Sequence, residues 1–269
     1  MTKRPPIALT IAGSDSGGGA GIQADLKAMS ANGVYGASVI TAVTAQNTTT
    51  VTAVHDVPPD VVGAQIDAVL SDMDVRAIKL GMLFCAPIIE MTAQKLQAFD
   101  RPIVVDPVMI AKSGDALLQN IAVAALITHI LPQASLLTPN LPEAAQLLNR
   151  PMAMTLDEMT DQAHQLIAMG PKAVLMKGGH GVGGICTDLL IDTNGTVTTF
   201  SAPRIDTKNT HGTGCTYAAA IAAFLAQGRP LGEAVNAAHI YLQAAIKAAD
   251  SLQIGHGHGP VHHFHGQWQ

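Results

Sequence analysis

Three observations on the sequence predict an α/β fold with a mostly parallel sheet. Short apolar segments of strand length alternate with longer segments whose apolar residues recur at helical spacing. Most of the candidate strands are predominantly apolar, as in sheets whose two faces are both covered. Hydrophobic residues make up 48% of the chain but aromatic residues only 3%, so small aliphatic side chains dominate the core. These features favour a central sheet flanked by helices on both faces.

The predicted elements follow one another in strand–helix order. The apolar candidate strands are residues 7–12, 36–43, 51–57 (a short outlying strand), 77–80, 103–105, 135–137 and 173–176. Residues 185–191 and 197–201 flank Asn194-Gly195, which is a strong hairpin signal. The clearest predicted helices are residues 20–32, a helix opened by Pro58-Pro59, and two Ala-rich helices at 213–227 and 231–249. Gly33 is placed to end the first helix.

Composition and charge limit the possible partners. We expect one domain over residues 1–269, because no linker or repeat interrupts the pattern. The net charge is only -5 and no long basic run appears, which argues against a nucleic-acid partner. No apolar stretch is long enough to span a bilayer. The three cysteines are scattered, with no disulfide framework, so a reducing cytoplasm is predicted.

A glycine-rich loop follows the first predicted strand. Residues 13–21 (GSDSGGGAG) contain five glycines in nine positions. They are neither a dinucleotide-binding fingerprint nor a P-loop, because Ile22 replaces the last glycine of the first motif and no lysine follows. A tight strand-to-helix turn would need fewer glycines, so a loop that approaches a ligand closely is favoured.

The most informative stretch is residues 209–217 (NTHGTGCTY), which lead into an Ala-rich helix. The amides of Gly212, Thr213, Gly214 and Cys215 are expected to converge at the amino terminus of that helix. Free amides and the positive end of the helix dipole form an anion site there, suited to a phosphoryl group in transfer. The alternative is an ordinary helix start capped by Thr210 or Thr213.

Residues 209–217 resemble the ribokinase superfamily signature, Asn/Asp-Thr-x-Gly-Ala-Gly-Asp, with Cys215 at the base position and Thr213 in place of alanine. This departure is similar to the hydroxymethylpyrimidine kinase and phosphomethylpyrimidine kinase branch of thiamine biosynthesis. Further matches to that branch are residues 12–25, 44–48 (TAQNT), 106–109 (DPVM), 111–115 (AKSGD), 177–180 (KGGH) and 255–261 (GHGHGPV). The resemblance implies a ribokinase-like αβα sandwich of three layers.

The resemblance also implies the activity. Members of the branch use Mg-ATP to phosphorylate 4-amino-5-hydroxymethyl-2-methylpyrimidine and then its monophosphate. It places the pyrimidine among five residues: Gly13, Asp25, Gln46, Met82 and Val108. Gln46 suits an aminopyrimidine because its amide supplies both a donor and an acceptor. For Asp25, the alternative is an ordinary exposed acid on a helix.

The nucleotide side is assigned to residues that follow strands. The resemblance makes Asp106, Asn140 and Glu143 a set that organises magnesium, with Asp106 and Glu143 as the metal carboxylates, and adds Thr210 to the phosphate-binding residues. For Glu143, a first-turn acid favoured by the helix dipole is an equal alternative. An interior lysine needs a partner, so Lys177 is expected to contact phosphate. Residues 111–115 are expected to form a mobile cover.

Cys215 is expected to act as the general base. A helix amino terminus lowers the pKa of a thiol, and a thiolate can take the proton of a hydroxymethyl group. A small core residue is the alternative. The histidines near the carboxyl terminus, among them His256 and His258, have no zinc-site spacing, so a packed or flexible terminus is favoured over a metal site.

Two other functions stay open from the sequence. One is a pyridoxal or pyridoxine kinase of the same superfamily, whose substrate ring also carries a hydroxymethyl group. The other is a protein that binds a nucleotide or pyrimidine without turnover, against which Asp106, Lys177 and Cys215 argue. The family resemblance further suggests a homodimer that acts on small molecules.

Overall fold

A computed structural model describes residues 4–109, 120–181 and 183–268, without the side chains of Asn120 and His180. The strands are β1 Ile7–Asp15, β2 Tyr35–Gln46, β3 Val51–Asp56, β4 Val75–Leu80, β5 Ile103–Val105, β6 Leu136–Leu137, β7 Ala173–Met176, β8 Ile185–Asp192 and β9 Val197–Pro203. The α-helices are α1 Gly21–Ala31, α2 Pro59–Asp72, α3 Ala86–Leu96, α4 Asn120–Ala125, α5 Leu141–Leu148, α6 Leu156–Ile167, α7 Thr213–Ala226 and α8 Leu231–Lys247. Within these ranges no helix is both long and apolar enough to cross a bilayer.

The strands form one sheet in the order β3-β2-β1-β4-β5-β6-β7-β8-β9. The central pairings from β2 through β7 are parallel, whereas β3 pairs with β2 and β8 pairs with both its neighbours in antiparallel fashion. The chain leaves β1 towards β2 on one side and later returns to β4 on the other. Open sheets bind ligands at such a reversal, beyond the carboxyl ends of the strands.

Helices cover both faces of the sheet, so the predicted three-layer arrangement is confirmed. One apolar cluster joins the sheet to α2, α3, α5 and α6, and a second joins it to α1, α7 and α8. Helix α7 is buried along most of its length, and its alanines let it pack closely on the sheet. This close packing places the amino terminus of α7 at the carboxyl edge of the central strands.

All nine predicted strands are present; residues 103–105 and 173–176 match the predicted bounds, and the other seven strands differ by one to three residues at an end. The first strand was expected to end at Ala12, but β1 continues to Asp15 because Ser14 and Asp15 still pair with β2 after a bulge. The strand expected at residues 135–137 shortens to β6, Leu136–Leu137. The hairpin at Asn194-Gly195 is confirmed, with Gly195 at a φ of 77° between β8 and β9.

The carboxyl-terminal segment packs against α7 and α8. Val261, His262 and His263 are buried, and the His263 Nε2 atom lies 2.9 Å from the hydroxyl of Thr216. The Tyr241 hydroxyl donates to the carbonyl of His263 at 2.8 Å, and Trp268 stacks on Phe264. The prediction of a packed terminus is confirmed for these residues.

The stability of the fold should depend on pH through His263. Burial lowers the pKa of His263 to about 3 from 6.5. Below pH 6.5, His263 therefore binds a proton in the unfolded chain but not in the folded chain. The free energy of unfolding falls for this reason as the pH drops from 6.5 towards 3. In the wild type, this contributes up to about 1.4 kcal/mol per pH unit to the fall in the free energy of unfolding in that window. In His263→Gln, we expect that contribution to be absent.

Urea unfolding of both proteins between pH 7.5 and 4.5 measures this difference. His55→Gln removes an exposed histidine and is the matched control, with a wild-type slope expected. Parallel slopes for the wild type and His263→Gln would show that His263 is protonated in the folded state.

Candidate active site

The candidate residues meet at the carboxyl edge of the sheet, beside the reversal at β1 and β4. Asp15 ends β1, Asp106 directly follows β5, and Lys177 directly follows β7. The amino terminus of α7 lies against them, since a β-carbon built on Gly214 would lie 3.4 Å from both Asp106 Oδ2 and Lys177 Nζ. The structure therefore brings together a helix start, a lysine and a carboxylate, as the sequence predicted.

The first turn of α7 has free amides. Gly212 occupies the N-cap position with a φ of 77°, and no side chain caps the helix. Within the described residues, the amides of Gly214 and Cys215 donate to no acceptor. The capping alternative for Thr210 or Thr213 is therefore wrong, because a glycine N-cap has no side-chain oxygen to offer. The Gly212 amide has no acceptor among the described residues either, so three of the four expected cradle amides are available to an anion.

One expected cradle amide is engaged. The amide of Thr213 donates to the Thr210 carbonyl at 3.3 Å, and the Thr213 hydroxyl donates to the same oxygen at 2.7 Å. Residues 211–215 are all half-buried, so the helix start is neither sealed in the core nor fully exposed. The loop is therefore still reached by solvent, and the two hydrogen bonds of Thr213 hold its shape.

Asp106, Lys177 and Glu143 form a buried charged group. Lys177 Nζ donates to Asp106 Oδ1 at 2.8 Å and lies 4.0 Å from Glu143 Oε2. Two carboxylates thus share one ammonium group. Burial raises the pKa of Glu143 to about 7; Lys177 opposes this rise and Asp106 adds to it. The excess of negative charge suits a hard divalent cation, which prefers oxygen ligands.

Asn140 and Glu143 also cap α5. The Glu143 amide donates to Asn140 Oδ1 at 2.8 Å, and the Asn140 amide donates to Glu143 Oε2 at 2.7 Å. This reciprocal arrangement is a capping box, which stabilises the helix start. The structural alternative for Glu143 is therefore confirmed, and the same carboxylate remains within 4.0 Å of Lys177. The contacts of Asn140 and Thr210 with phosphate stay predictions.

The expected acceptor pocket is partly assembled. A β-carbon built on Gly13 would lie 2.4 Å from Met82 Cε, so the glycine lets Met82 pack against the end of β1. The Met82 carbonyl accepts a hydrogen bond from the Thr41 hydroxyl at 2.7 Å. Gln46 is half-buried at the end of β2, and Val108 is half-buried after β5. Contact of Gly13, Gln46, Met82 and Val108 with a pyrimidine stays a prediction.

Asp25 lies deeper than expected. Its side chain is fully buried; Lys79 Nζ donates to both of its oxygens, at 3.0 and 2.8 Å, and the Thr10 hydroxyl donates at 2.6 Å. The alternative of an exposed helix acid is therefore wrong. Burial would lower the pKa of Lys79, but Asp25 raises it above its usual value. Contact of Asp25 with a pyrimidine stays a prediction. It requires the ring to enter a part of the protein that solvent does not reach.

The Cys215 thiol is not activated in the way the sequence suggested. Burial raises its pKa to about 11; Lys79 lowers it, whereas Asp25 and Asp106 raise it further. The prediction that the helix terminus lowers the pKa of Cys215 is thus wrong for this state. The desolvation of a buried thiolate outweighs the attraction of the α7 dipole and of Lys79. The resting thiol is protonated at neutral pH.

Several polar residues of the site had no role assigned from the sequence. The buried Asp188 carboxylate accepts a hydrogen bond from the Gly178 amide at 2.8 Å and so fixes the turn after Lys177. The guanidinium group of Arg204 donates to the carbonyls of Gly179, Gly181 and Gly183. His211 contacts Asp15. No local pattern in the sequence pairs residues so far apart. The expected cover, residues 111–115, lies outside the described residues.

Alkylation tests the protonation state of Cys215. The rate of modification by iodoacetamide follows the thiolate fraction, so the rate at Cys215 should still rise at pH 10. Peptide mass spectrometry after timed labelling gives this rate, with Cys186 of the same chain as internal reference. A plateau below pH 8 would mean that the thiol is activated in the free protein.

The comparisons with known proteins agree on one family. The family profile described as "Phosphomethylpyrimidine kinase" matches residues 15–262. The "Hydroxymethylpyrimidine/phosphomethylpyrimidine kinase" of Rhizobium meliloti is 59% identical to this chain over 98% of both sequences.

Two solved structures are similar along most of the chain. The ADP complex of Bacillus subtilis pyridoxal kinase has a TM-score of 0.90 at 35% identity and covers 99% of this chain and 100% of that one. A phosphomethylpyrimidine kinase from Clostridium difficile 630 has a TM-score of 0.80 at 44% identity, over 90% of this chain and 99% of that one. Together with the site geometry, these matches show that the chain belongs to the phosphomethylpyrimidine kinase family.

Proposed function

We propose that this protein transfers the γ-phosphoryl group of ATP to the hydroxymethyl group of 4-amino-5-hydroxymethyl-2-methylpyrimidine, and then a second one to the resulting monophosphate. The curated relative at 59% identity carries both activities in its name. The observation that carries the proposal is the uncapped start of α7, whose free amides lie beside Lys177 and Cys215. Those groups are the ones that phosphoryl transfer requires.

The free amides and Lys177 act on the phosphoryl group. In a loose transition state, the negative charge is spread over the three oxygens of that group. The amides of Gly214 and Cys215 and the α7 dipole stabilise it from one side. The Lys177 ammonium, held by Asp106 at 2.8 Å, supplies a positive charge on the nucleotide side. Because these groups are already in place, little reorganisation is needed when the charge moves.

We assign magnesium to Asp106 and Glu143. Their two carboxylates share the single ammonium group of Lys177, at 2.8 and 4.0 Å, which leaves oxygen ligands for a cation. When bound with ATP, the ion neutralises phosphate oxygens. Binding through water is consistent with the few carboxylates available, since Mg²⁺ keeps several waters. The capping contact of Glu143 with the Asn140 amide holds its carboxylate in place for this task.

We propose that Cys215 contacts the acceptor hydroxyl. Its thiol is protonated at rest, so it becomes a base only if the bound reactants lower its pKa. In a loose transition state, the acceptor proton leaves late and a weak base is sufficient. The second step has an anionic phosphate as acceptor and needs no base. The two steps should therefore depend on Cys215 to different degrees.

The pyridoxal kinase alternative is less well supported. Bacillus subtilis pyridoxal kinase shares the fold at 35% identity, whereas hydroxymethylpyrimidine and phosphomethylpyrimidine kinases reach 44% and 59%. Pyridoxine also carries a hydroxymethyl group on a six-membered ring, so it is the natural competitor in an assay. We propose activity on the pyrimidine as the main function.

We further propose one domain, a homodimer and a cytoplasmic location. β3 is an edge strand, and Val43, Ala45 and Ala53 are exposed on one face of the β2–β3 pair. An apolar face beside a free edge favours pairing with a second copy. Sedimentation equilibrium should give a dimer for the wild type and a lighter species for Val43→Glu.

The cysteines support the proposed cytoplasmic location. The three cysteines form no disulfide, as in reducing compartments.

ATP turnover on three acceptors tests the proposed function. We expect ADP release with the hydroxymethylpyrimidine and with its monophosphate, and at least tenfold lower kcat/KM with pyridoxine, since each 1.4 kcal/mol of lost transition-state binding costs a factor of ten. Equal or greater efficiency with pyridoxine would favour the pyridoxal kinase alternative. No ADP release with any of the three would support a binding protein.

The same assay separates two roles of Cys215. In Cys215→Ala, we expect phosphorylation of the alcohol to fall about 100-fold, within the usual range for loss of a general base, and that of the monophosphate by less than about tenfold. Cys186→Ala removes another half-buried thiol and is the matched control. Equal losses in both steps would contradict the base role and favour a positional one.

A further inference from the structure

Asp15 and His211 form a contact between the two loops of the active site. His211 Nε2 lies 2.9 Å from Asp15 Oδ2, across 196 positions of sequence. Asp15 ends β1 within the glycine-rich loop, and His211 directly precedes the N-cap glycine of α7. The two side chains are only 4% and 14% exposed, so water screens the contact little. Neither residue has a role in the transfer chemistry proposed above.

The Asp15 carboxylate organises the glycine-rich loop. Its two oxygens accept hydrogen bonds from the amides of Gly17, Gly19 and Ala20, at 2.8, 3.1 and 2.8 Å. Burial would raise the pKa of Asp15, but the hydrogen bonds from His211, Ala20 and Gly17 lower it. The carboxylate is therefore charged and gathers the loop around itself, and His211 is its one side-chain partner from the other loop among the described residues.

The proton on the His211 ring follows from this geometry. A charged carboxylate can only accept, so Nε2 must carry the hydrogen that is donated to Asp15. Gln46 Nε2 lies 3.4 Å from the same ring nitrogen and finds no acceptor there. The His211 backbone is held as well, since its amide donates to the Gly259 carbonyl at 3.0 Å and its carbonyl accepts from the Val261 amide at 3.3 Å.

The backbones of the two loops also pack with no spare room. A β-carbon built on Gly212 would lie 1.8 Å from the Gly19 carbonyl oxygen, and one built on Gly19 would lie 2.4 Å from His211 Cδ2. A shift of either loop therefore moves the other. The hydrogen bond from His211 to Asp15 is the polar side-chain contact that holds this packing in register.

We propose that Asp15 and His211 are a positioning pair, which locks the glycine-rich acceptor loop onto the phosphoryl cradle, so that binding of nucleotide and binding of acceptor favour each other. The inference rests on the proposed function, because it takes the first loop as the acceptor side. If the pair orders both loops together, each ligand stabilises the arrangement that the other needs. Without the pair, both sites persist but lose their coupling.

Two substitutions at His211 separate its hydrogen bond from its bulk. His211→Leu removes the donor, whereas His211→Gln restores an N–H group near the position of Nε2 and is the rescue variant. His265→Leu removes a histidine of the carboxyl-terminal segment that lies 3.3 Å from the Tyr241 carbonyl, and it serves as the control for loss of one histidine contact. Thermal unfolding of each protein shows whether the fold is kept.

The first measurement is ligand coupling by calorimetry. In the wild type, we expect a non-hydrolysable ATP analogue to tighten binding of the hydroxymethylpyrimidine at least fivefold, within the usual range of such couplings. In His211→Leu, the analogue should change the affinity for the hydroxymethylpyrimidine less than twofold. Binding of the analogue alone should change less than threefold. We expect kcat for the alcohol to fall about 100-fold, because small misplacements of reacting groups have effects of that size. His211→Gln should recover most of the coupling and of kcat.

The second measurement needs no ligand. Hydrogen exchange of the Gly17, Gly19 and Ala20 amides in the free protein should accelerate about tenfold in His211→Leu, since they open with the loop, but neither in His211→Gln nor in His265→Leu. Retained coupling in His211→Leu would overturn the proposal, and so would unchanged exchange. If the wild type phosphorylates no alcohol, the proposed function fails, and hydrogen exchange still decides whether His211 orders the loop.

Discussion

The free amides at the start of α7 are the constraint on which the rest of the site depends. They are free because Gly212 is the N-cap residue, and glycine offers no side-chain oxygen while tolerating a φ of 77°. A second requirement points to glycine here, since any side chain would strike the Gly19 carbonyl. The same residue thus leaves an anion site open and lets the acceptor loop pack against it. The fold supplies the position, because the small residues of α7 bring its start to the carboxyl edge of the sheet.

The buried charges of the candidate site form two groups, each with a lysine. Asp25 and Lys79 neutralise each other below the surface, where neither is exposed. Lys177 has a partner in Asp106, and Glu143 adds a second carboxylate 4.0 Å from the same ammonium group. A buried unpaired charge is costly, so this arrangement favours a cation together with an anionic substrate. This balance of charge supports the proposal that the site binds a nucleotide with its metal.

Local order in the sequence predicted most of the fold. Strand and helix periodicity, the Asn194-Gly195 turn and the glycines after β1 act through neighbouring residues, so one segment is enough to recognise them. The helix start at residues 209–217 was recognised for the same reason. Strands β1 and β6, whose bounds differ from the predicted ones, begin and end where pairing with a neighbouring strand does. The ends of a strand therefore depend on its neighbours in the sheet and not on its own residues alone.

The sequence by itself determined the α/β class, the glycine-rich start of α7 and the family resemblance, because each depends on contiguous residues. Only the tertiary structure decided the state of the side chains. It buried Asp25 against Lys79, raised the pKa of Cys215, and joined Asp15 to His211. Desolvation and long-range contacts depend on which residues the fold brings together, and no local pattern encodes them.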